Sequence, residues 1–226
     1  MIRGLEENGW FASGSCVPDA LLDQIAAECG EASSGSRRRG GIRNLLELPG
    51  VCDLVDIPAV RDLASACVGD GALVVRGLLF DKTATSNWKV PWHQDLTIAV
   101  RERCEAPDFG AWSRKEGVLH LQASAMVLER MVAIRVHIDP CGLDNGPVRV
   151  LPGSHLGGRL SAAEIEDWVA RTQPVACAVP RGGILAFRPL LLHASSPAKA
   201  PGHRRVVHLE FASGPLPHGL AWHARI

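Results

Sequence analysis

The chain has no apolar run that approaches the roughly 18 residues of a membrane span, and Met1 to Asn8 mixes charges without the apolar stretch of a secretory leader. A cytoplasmic protein is expected. Neither sign of charge is in excess: 24 basic residues balance 24 acidic ones. Nothing therefore draws the protein generally towards nucleic acid or an anionic membrane, and the expected partner is a small molecule. The oligomeric state is left open. Paired cysteines are missing too: the seven cysteines (16, 29, 52, 67, 104, 141 and 177) are odd in number and scattered, with no Cys-x-x-Cys. That disfavours a zinc or disulfide framework and predicts buried free thiols. There is no Gly-x-Ser-x-Gly elbow and no cysteine in a reactive motif, which argues against nucleophilic catalysis. A glycine-rich phosphate loop, internal repeats and low-complexity segments are also absent.

What is there is a globular balance. The 226 residues are 46% hydrophobic and 21% charged, enough for one sizeable core. Pro18 to Cys29 reads as a helix, with Leu21, Leu22, Ile25, Ala26 and Cys29 on one stripe and Gly30 as the stop. Glu31 to Gly41, rich in Ser, Gly and Arg, reads as a mobile loop whose Arg37, Arg38 and Arg39 are expected to be solvated. Pro58 to about Val68 is a second helix. From Leu73 onwards the character changes to short β-type runs: Leu73–Phe80, Val90–Asp95, Val132–Asp139, Val148–Leu151, Val175–Val179, Ile184–His193 and Arg205–Phe211. One helix interrupts them, announced by the capping box from Ser161 to Glu164 and continued by Ile165, Trp168 and Val169. The pattern predicts a sandwich or barrel rather than alternating βαβ units. The expected organisation is one domain over 1–226, with a helical part to about 70, a β core over about 72–213 and a tail over 214–226.

Within that frame, Trp92-His93-Gln94-Asp95 stands out. His93 and Asp95 leave the same face of an extended strand, close enough to grip one cation. Two donors do not close a site. With one further imidazole they make the two-histidine, one-carboxylate set that leaves positions open and suits non-haem Fe(II). Val132 to Asp139 alternates, with Val132, Ile134, Val136 and Ile138 on one face and Ala133, Arg135, His137 and Asp139 on the other. The polar face either lines an interior site or meets water, and periodicity does not decide between them. Asn145-Gly146 marks a tight turn before the strand Val148–Leu151, with Pro152-Gly153 ending it and His155 beyond as a structural hydrogen-bonding group. Further on, an apolar run delivers His193, followed by Ser195 and a strand opening with Arg204-Arg205.

His-x-Asp at 93–95, Asn-Gly-Pro-Val-Arg-Val-Leu-Pro-Gly-Ser-His at 145–155, and His193-x-Ser195 followed by Arg204 occur in this order. In these residues the chain resembles the phytanoyl-CoA dioxygenase family of Fe(II)- and 2-oxoglutarate-dependent oxygenases, over roughly Glu7 to Phe211. The resemblance implies a mainly β fold with flanking helices around a double-stranded β-helix, the jelly-roll or cupin-like core. It implies iron held by His93, Asp95 and His193, and a 2-oxoglutarate carboxylate on Arg204, with Ser195 and Lys82 as further contacts. A planar guanidinium suits that role because it holds a carboxylate bidentately at any working pH. Arg205, on the other face, is expected to be an exterior salt-bridge partner. The implied activity is oxidation of a C–H bond of a small metabolite by O2, with succinate and CO2 released. Halogenating relatives lack the carboxylate of the metal set, so Asp95 favours hydroxylation, desaturation or ring closure. A cupin-like metal enzyme that is not an oxygenase needs the same three donors but not Arg204, and an inactive binding module of the same fold is a third reading.

The roughly 36 residues between Asp95 and Val132 exceed a simple connection and predict a lid over the site. Gln122, Arg135 and His137 are the expected substrate contacts, with Trp88 and Trp92 as candidate walls. The basic residues of the segment, Arg101, Arg103, Arg114 and Lys115, hint at an anionic substrate. The tail, with His218, Trp222 and His223, either closes over the site or mediates a dimer.

Overall fold

The structure is a computed structural model and describes residues 2–33, 42–104 and 107–226. The helices are α1 (Ile2–Glu7), α2 (Asp19–Ser33), α3 (Pro49–Asp56), α4 (Pro58–Val68), α5 (Ala125–Leu128) and α6 (Ala162–Arg171). The strands are β1 (Trp10–Ser15), β2 (Ile42–Arg43), β3 (Ala72–Lys82), β4 (Val90–His93), β5 (Thr97–Val100), β6 (Trp112–Lys115) and β7 (Val118–Gln122). They continue with β8 (Met131–His137), β9 (Val148–Val150), β10 (Val175–Cys177), β11 (Gly183–Phe187), β12 (His193–Ser195) and β13 (Arg204–Ser213). A large sheet has the order β1-β11-β8-β13-β3-β2 and a smaller one the order β10-β9-β12-β4, every pairing antiparallel. This is the jelly-roll arrangement, mainly β with helices flanking it.

The orientation of β8 is now decided. Val132, Ile134, Val136 and Ile138 are buried in one cluster with Leu22 and Ile25 of α2, Leu54 of α3 and Leu63 of α4. The helices therefore cover the outer face of the large sheet. The opposite face turns Arg135 and His137 towards the small sheet, with residues of β3, β4, β12 and β13 around the same space. Apolar burial against the helices fixes the register, because a slip by one residue would place arginine in the helical layer. Asp139, grouped with the inward face by alternation, instead pairs outside the cavity with Arg205, accepting from Nε and Nη2 at 2.8 Å each.

Several boundaries differ from the sequence reading. α2 runs through Gly30 to Ser33, because one exposed glycine costs a helix only about 1 kcal/mol and is not by itself a stop. The rest of the expected loop, residues 34–41 with Arg37 to Arg39, lies outside the described residues. The N-terminal part is not purely helical: Trp10–Ser15 is an edge strand on β11. The run 184–193 is two strands, since Pro189 has no N–H to continue a ladder, and the chain passes from the large sheet to the small one there. The expected lid is a three-stranded sheet, β5-β7-β6, followed by α5. Its hairpin turns at Glu116 and Gly117, both at positive φ (49° and 84°), the pairing a tight two-residue turn requires. The tail packs back on the protein: Trp222 bridges Val100 and is buried, and Ile226 exchanges backbone hydrogen bonds with Val74. Of the seven cysteines only Cys29, Cys141 and Cys177 are buried; Cys16 is exposed and the others lie between.

The Asn145-Gly146 turn fits against the site. Gly146 sits at φ 61°, and a Cβ there would lie 2.5 Å from the Ser196 carbonyl oxygen. Its own carbonyl accepts a hydrogen bond from Arg204 Nη1. Gly146→Ala is expected to cost more than about 1 kcal/mol of stability, through both the left-handed backbone and the clash. Urea unfolding measures it; an unchanged midpoint would contradict the turn geometry.

Candidate metal and cosubstrate site

The two sheets enclose a cavity of about 220 Å³. β4 and β12 pair so that His193 stands directly opposite His93. The ladder then breaks: the Asp95 amide donates to the Pro189 carbonyl at 2.9 Å. His93 Nε2 lies 3.6 Å from Asp95 Oδ1, and His193 Nε2 lies 3.5 Å from Asp95 Oδ2. One donor atom from each of the three falls within 4.8 Å of the others, and they are the one such group among the described residues. Between them, Gln94 points the other way and is buried. Its Nε2 donates to the Leu190 and Gly158 carbonyls at 2.6 and 2.7 Å, and its Oε1 accepts from the Leu160 amide at 2.9 Å. The residue between the two donors thus ties their strand to two neighbouring loops.

Both imidazoles have their tautomer set from behind. Nδ1 of His93 faces the Pro91 carbonyl and Nδ1 of His193 faces the Leu191 carbonyl, each at 2.9 Å. A carbonyl only accepts, so Nδ1 carries the proton and Nε2 keeps a lone pair aimed at Asp95, the second-sphere arrangement usual for metal-binding histidines. His193 Nε2 is buried without a hydrogen-bond partner among the described residues. Burial pushes the His193 imidazole down to about 3, against the pull of Asp95, so it is neutral. Burial also opposes charge on His93, but the Asp95 carboxylate beside it raises it above its ordinary value. For Asp95, burial alone would raise the carboxyl, and the facing His193 and His93 draw it well below the usual range. A neutral imidazole, a second imidazole and an ionised carboxylate, with lone pairs converging, fit a divalent cation with bonds of about 2.1 Å.

The far end of the cavity is cationic. Lys82 on β3 is paired in register with Arg204 on β13, and both are buried. Lys82 Nζ donates to Ser195 Oγ at 3.1 Å and to the Ser196 carbonyl at 2.7 Å, and lies 5.6 Å from the Trp88 ring centroid. Burial, with help from Arg204, lowers Lys82 to about 8. Among the described residues Arg204 Nε has no hydrogen-bond partner, nor has either ring nitrogen of His137, which burial and the two nearby arginines push down to about 3. This corner therefore holds one neutral imidazole, two cations and a hydroxyl, with donors unspent.

Of the residues named from sequence, His93, Asp95, His193, Arg204, Ser195, Lys82, Arg135, His137 and Trp88 all border this one cavity. Gln122 does not. It sits on β7 and accepts from Arg159 Nη2 at 3.0 Å; the segment carrying it is a folded sheet that meets the cavity through Thr97 and Lys115 instead. Trp92 faces away from the cavity, 5.4 Å from the Arg149 guanidinium. His155 is the structural group expected, near the Glu6 carbonyl at 3.1 Å. No described residue of the tail lines the cavity. The sequence reading missed Arg76, Thr97, His208 and Glu210, which do line it. A signal existed in β13, where Arg204, His208 and Glu210 share one face of a strand whose other positions are largely apolar.

The family model for phytanoyl-CoA dioxygenase (PhyH) matches residues 5–206. The chain belongs to the phytanoyl-CoA dioxygenase family. PhyH membership supports an oxidoreductase of the non-haem iron and 2-oxoglutarate oxygenase type. No curated protein matches the chain. Among solved structures, the non-haem α-ketoglutarate-dependent carbocyclase SnoK from nogalamycin biosynthesis is similar at TM-score 0.74 and 14% identity, over 95% of this chain and 83% of that one. AviO1 from Streptomyces viridochromogenes Tue57 gives 0.70 and 20%, over 96% and 95%. EctD from S. alaskensis with bound Fe gives 0.71 and 16%, over 94% and 75%. At these identities the likeness is one of fold, and it agrees with the jelly-roll core of the PhyH chain.

Proposed function

We propose that this PhyH protein is an Fe(II)- and 2-oxoglutarate-dependent dioxygenase that oxidises a C–H bond of a small metabolite, releasing succinate and CO2. The observation that carries the reading is the convergence of His93, Asp95 and His193 opposite a buried cationic corner. His93, Asp95 and His193 would hold the iron, which when bound supplies the oxygen chemistry. The protein's own work is placement. The backbone carbonyls behind both histidines hold a proton on Nδ1, so that in the neutral rings Nε2 is the free lone-pair donor, and Asp95 would contribute the charge that balances the cation. Arg204, with its Nε unspent, binds the remote carboxylate of 2-oxoglutarate, with Ser195 and Lys82 beside it. His137, neutral, offers one further N–H in the same corner. The Arg135 guanidinium lies 5.3 and 4.9 Å from the Phe80 and Phe187 rings and its Nε donates to His208 Nδ1 at 3.0 Å, which holds it in the cavity wall. Asp95 fills a metal position that halide would otherwise take, so hydroxylation or a related oxidation is the proposed outcome.

The reading is tested by uncoupled turnover. Purified protein in air with Fe(II) and 2-oxoglutarate is expected to release succinate slowly, dependent on both additions; no succinate above a metal-free control contradicts it. A pH dependence also follows. Lys82 has its folded value lowered to about 8, so it is charged below that pH and neutral above. If its ammonium helps bind the dianionic cosubstrate, kcat/KM for 2-oxoglutarate falls as pH rises through about 8, by up to about tenfold per unit. Lys82→Met should lower kcat/KM at pH 7 and flatten that limb, and a limb of unchanged shape would remove Lys82 from the cosubstrate site.

A further inference from the structure

The cavity has a second charged end, which cosubstrate binding at Lys82 and Arg204 does not use. On β3 and β13, Lys82 is in register with Arg204 and Arg76 with Glu210; the two pairs are six residues apart along β3, about 20 Å at the usual rise. The metal set lies between them. On one side, His193 leads into Ser195, which accepts from Lys82. On the other, Asp95 leads into Thr97, whose carbonyl accepts from Arg76 Nη1 at 3.5 Å.

Resting on the reading above, we propose that the Arg76–Glu210 end binds the polar head of the primary substrate, and that this head is an amino-acid-like zwitterion. Glu210 Oε1 takes both of that carboxylate's contacts, Arg76 Nη1 at 2.9 Å and His208 Nε2 at 3.4 Å. Among the described residues its Oε2 takes no hydrogen bond, and neither Nε nor Nη2 of Arg76 donates one. A largely buried ion pair adds little stability over apolar packing, so its place on a cavity wall calls for another explanation. The unspent atoms supply it: an acceptor for an ammonium group beside a planar fork for a carboxylate. A plain carboxylic acid would face Glu210 Oε2 with like charge, and a plain amine would face the Arg76 guanidinium. Only a head with both charges satisfies both.

The test uses the full chain loaded with Zn(II), in place of iron, and 2-oxoglutarate. The probes are three pools: L-α-amino acids, the same compounds without the amino group, and the same compounds without the carboxyl group. Ligand-detected saturation-transfer NMR finds binders, and calorimetry measures the best. The expected result is binding from the amino-acid pool, with an affinity loss of about tenfold or more on removing either charge. Glu210→Gln keeps a side-chain carbonyl to accept from Arg76 and His208, and its folding is checked by Tm. It should abolish the preference for the amino acid over its deaminated analogue. Binding by no pool, equal binding of amino acid and deaminated acid, or unchanged discrimination in E210Q each overturns the proposal. A keto-acid charge-transfer band with iron, but no binding from any pool, overturns this inference alone. Absence of the band overturns it together with the reading it rests on.

Discussion

Asp95→Ala is expected to abolish iron retention and turnover together. The variant removes the only carboxylate among the three donors, and with it the charge that faces both imidazoles at 3.5 and 3.6 Å. Loss of a charged partner at such a site costs about 3–5 kcal/mol, on the order of 10² to 10⁴ in affinity. His93→Ala should behave alike, since each donor is one of three. Equilibrium dialysis against Fe(II) under argon measures retention, and succinate release measures turnover. Normal activity in either variant would mean that the triad is not the metal site. The metal-free fold should survive, because Asp95 is attached to the scaffold through its backbone amide rather than its side chain.

Arg204→Ala has the second-largest expected effect, and a different signature. A charge-assisted hydrogen bond is worth about 1.5–3 kcal/mol, so KM for 2-oxoglutarate should rise roughly 10- to 150-fold. KM for the primary substrate should change by less than about threefold, since the substrate is assigned to the opposite end of the cavity. Steady-state kinetics with each compound varied in turn separates the two. Equal increases in both would remove Arg204 from the cosubstrate site. Because Arg204 also anchors the Gly146 turn, Arg204→Lys is the control: a retained turn with a raised KM for 2-oxoglutarate isolates the loss of the planar fork.

The candidate metal set and the cationic corner were legible in the sequence for a local reason. His93 and Asp95 declare their shared face by spacing alone, and Ser195 and Arg204 follow His193 at short range. What placed them opposite one another was not legible from periodicity, since the pairing of His193 with His93 spans a hundred residues and depends on the chain changing sheets near Pro189. The orientation of β8 was likewise open until the helices were seen to cover Val132, Ile134, Val136 and Ile138. Arg76 and Glu210 were missed because they lie on strands distant in sequence from each other and from the His-x-Asp motif, and only the β3–β13 register joins them. Gln122 was misplaced because periodicity does not tell which residues of the β5-β7-β6 sheet meet the cavity: Thr97 and Lys115 do, and Gln122 accepts from Arg159 instead.

The most direct test of the account is anaerobic. Fe(II) and then 2-oxoglutarate are added to the purified protein, and the visible spectrum is searched for the weak metal-to-ligand charge-transfer band of a chelated keto acid. The account predicts that the band appears at stoichiometric Fe(II), and that its half-saturating 2-oxoglutarate concentration rises in Arg204→Ala. Iron binding without a band would contradict the cosubstrate assignment and leave a metal enzyme of another kind. Failure to bind iron at all would contradict the reading of His93, Asp95 and His193.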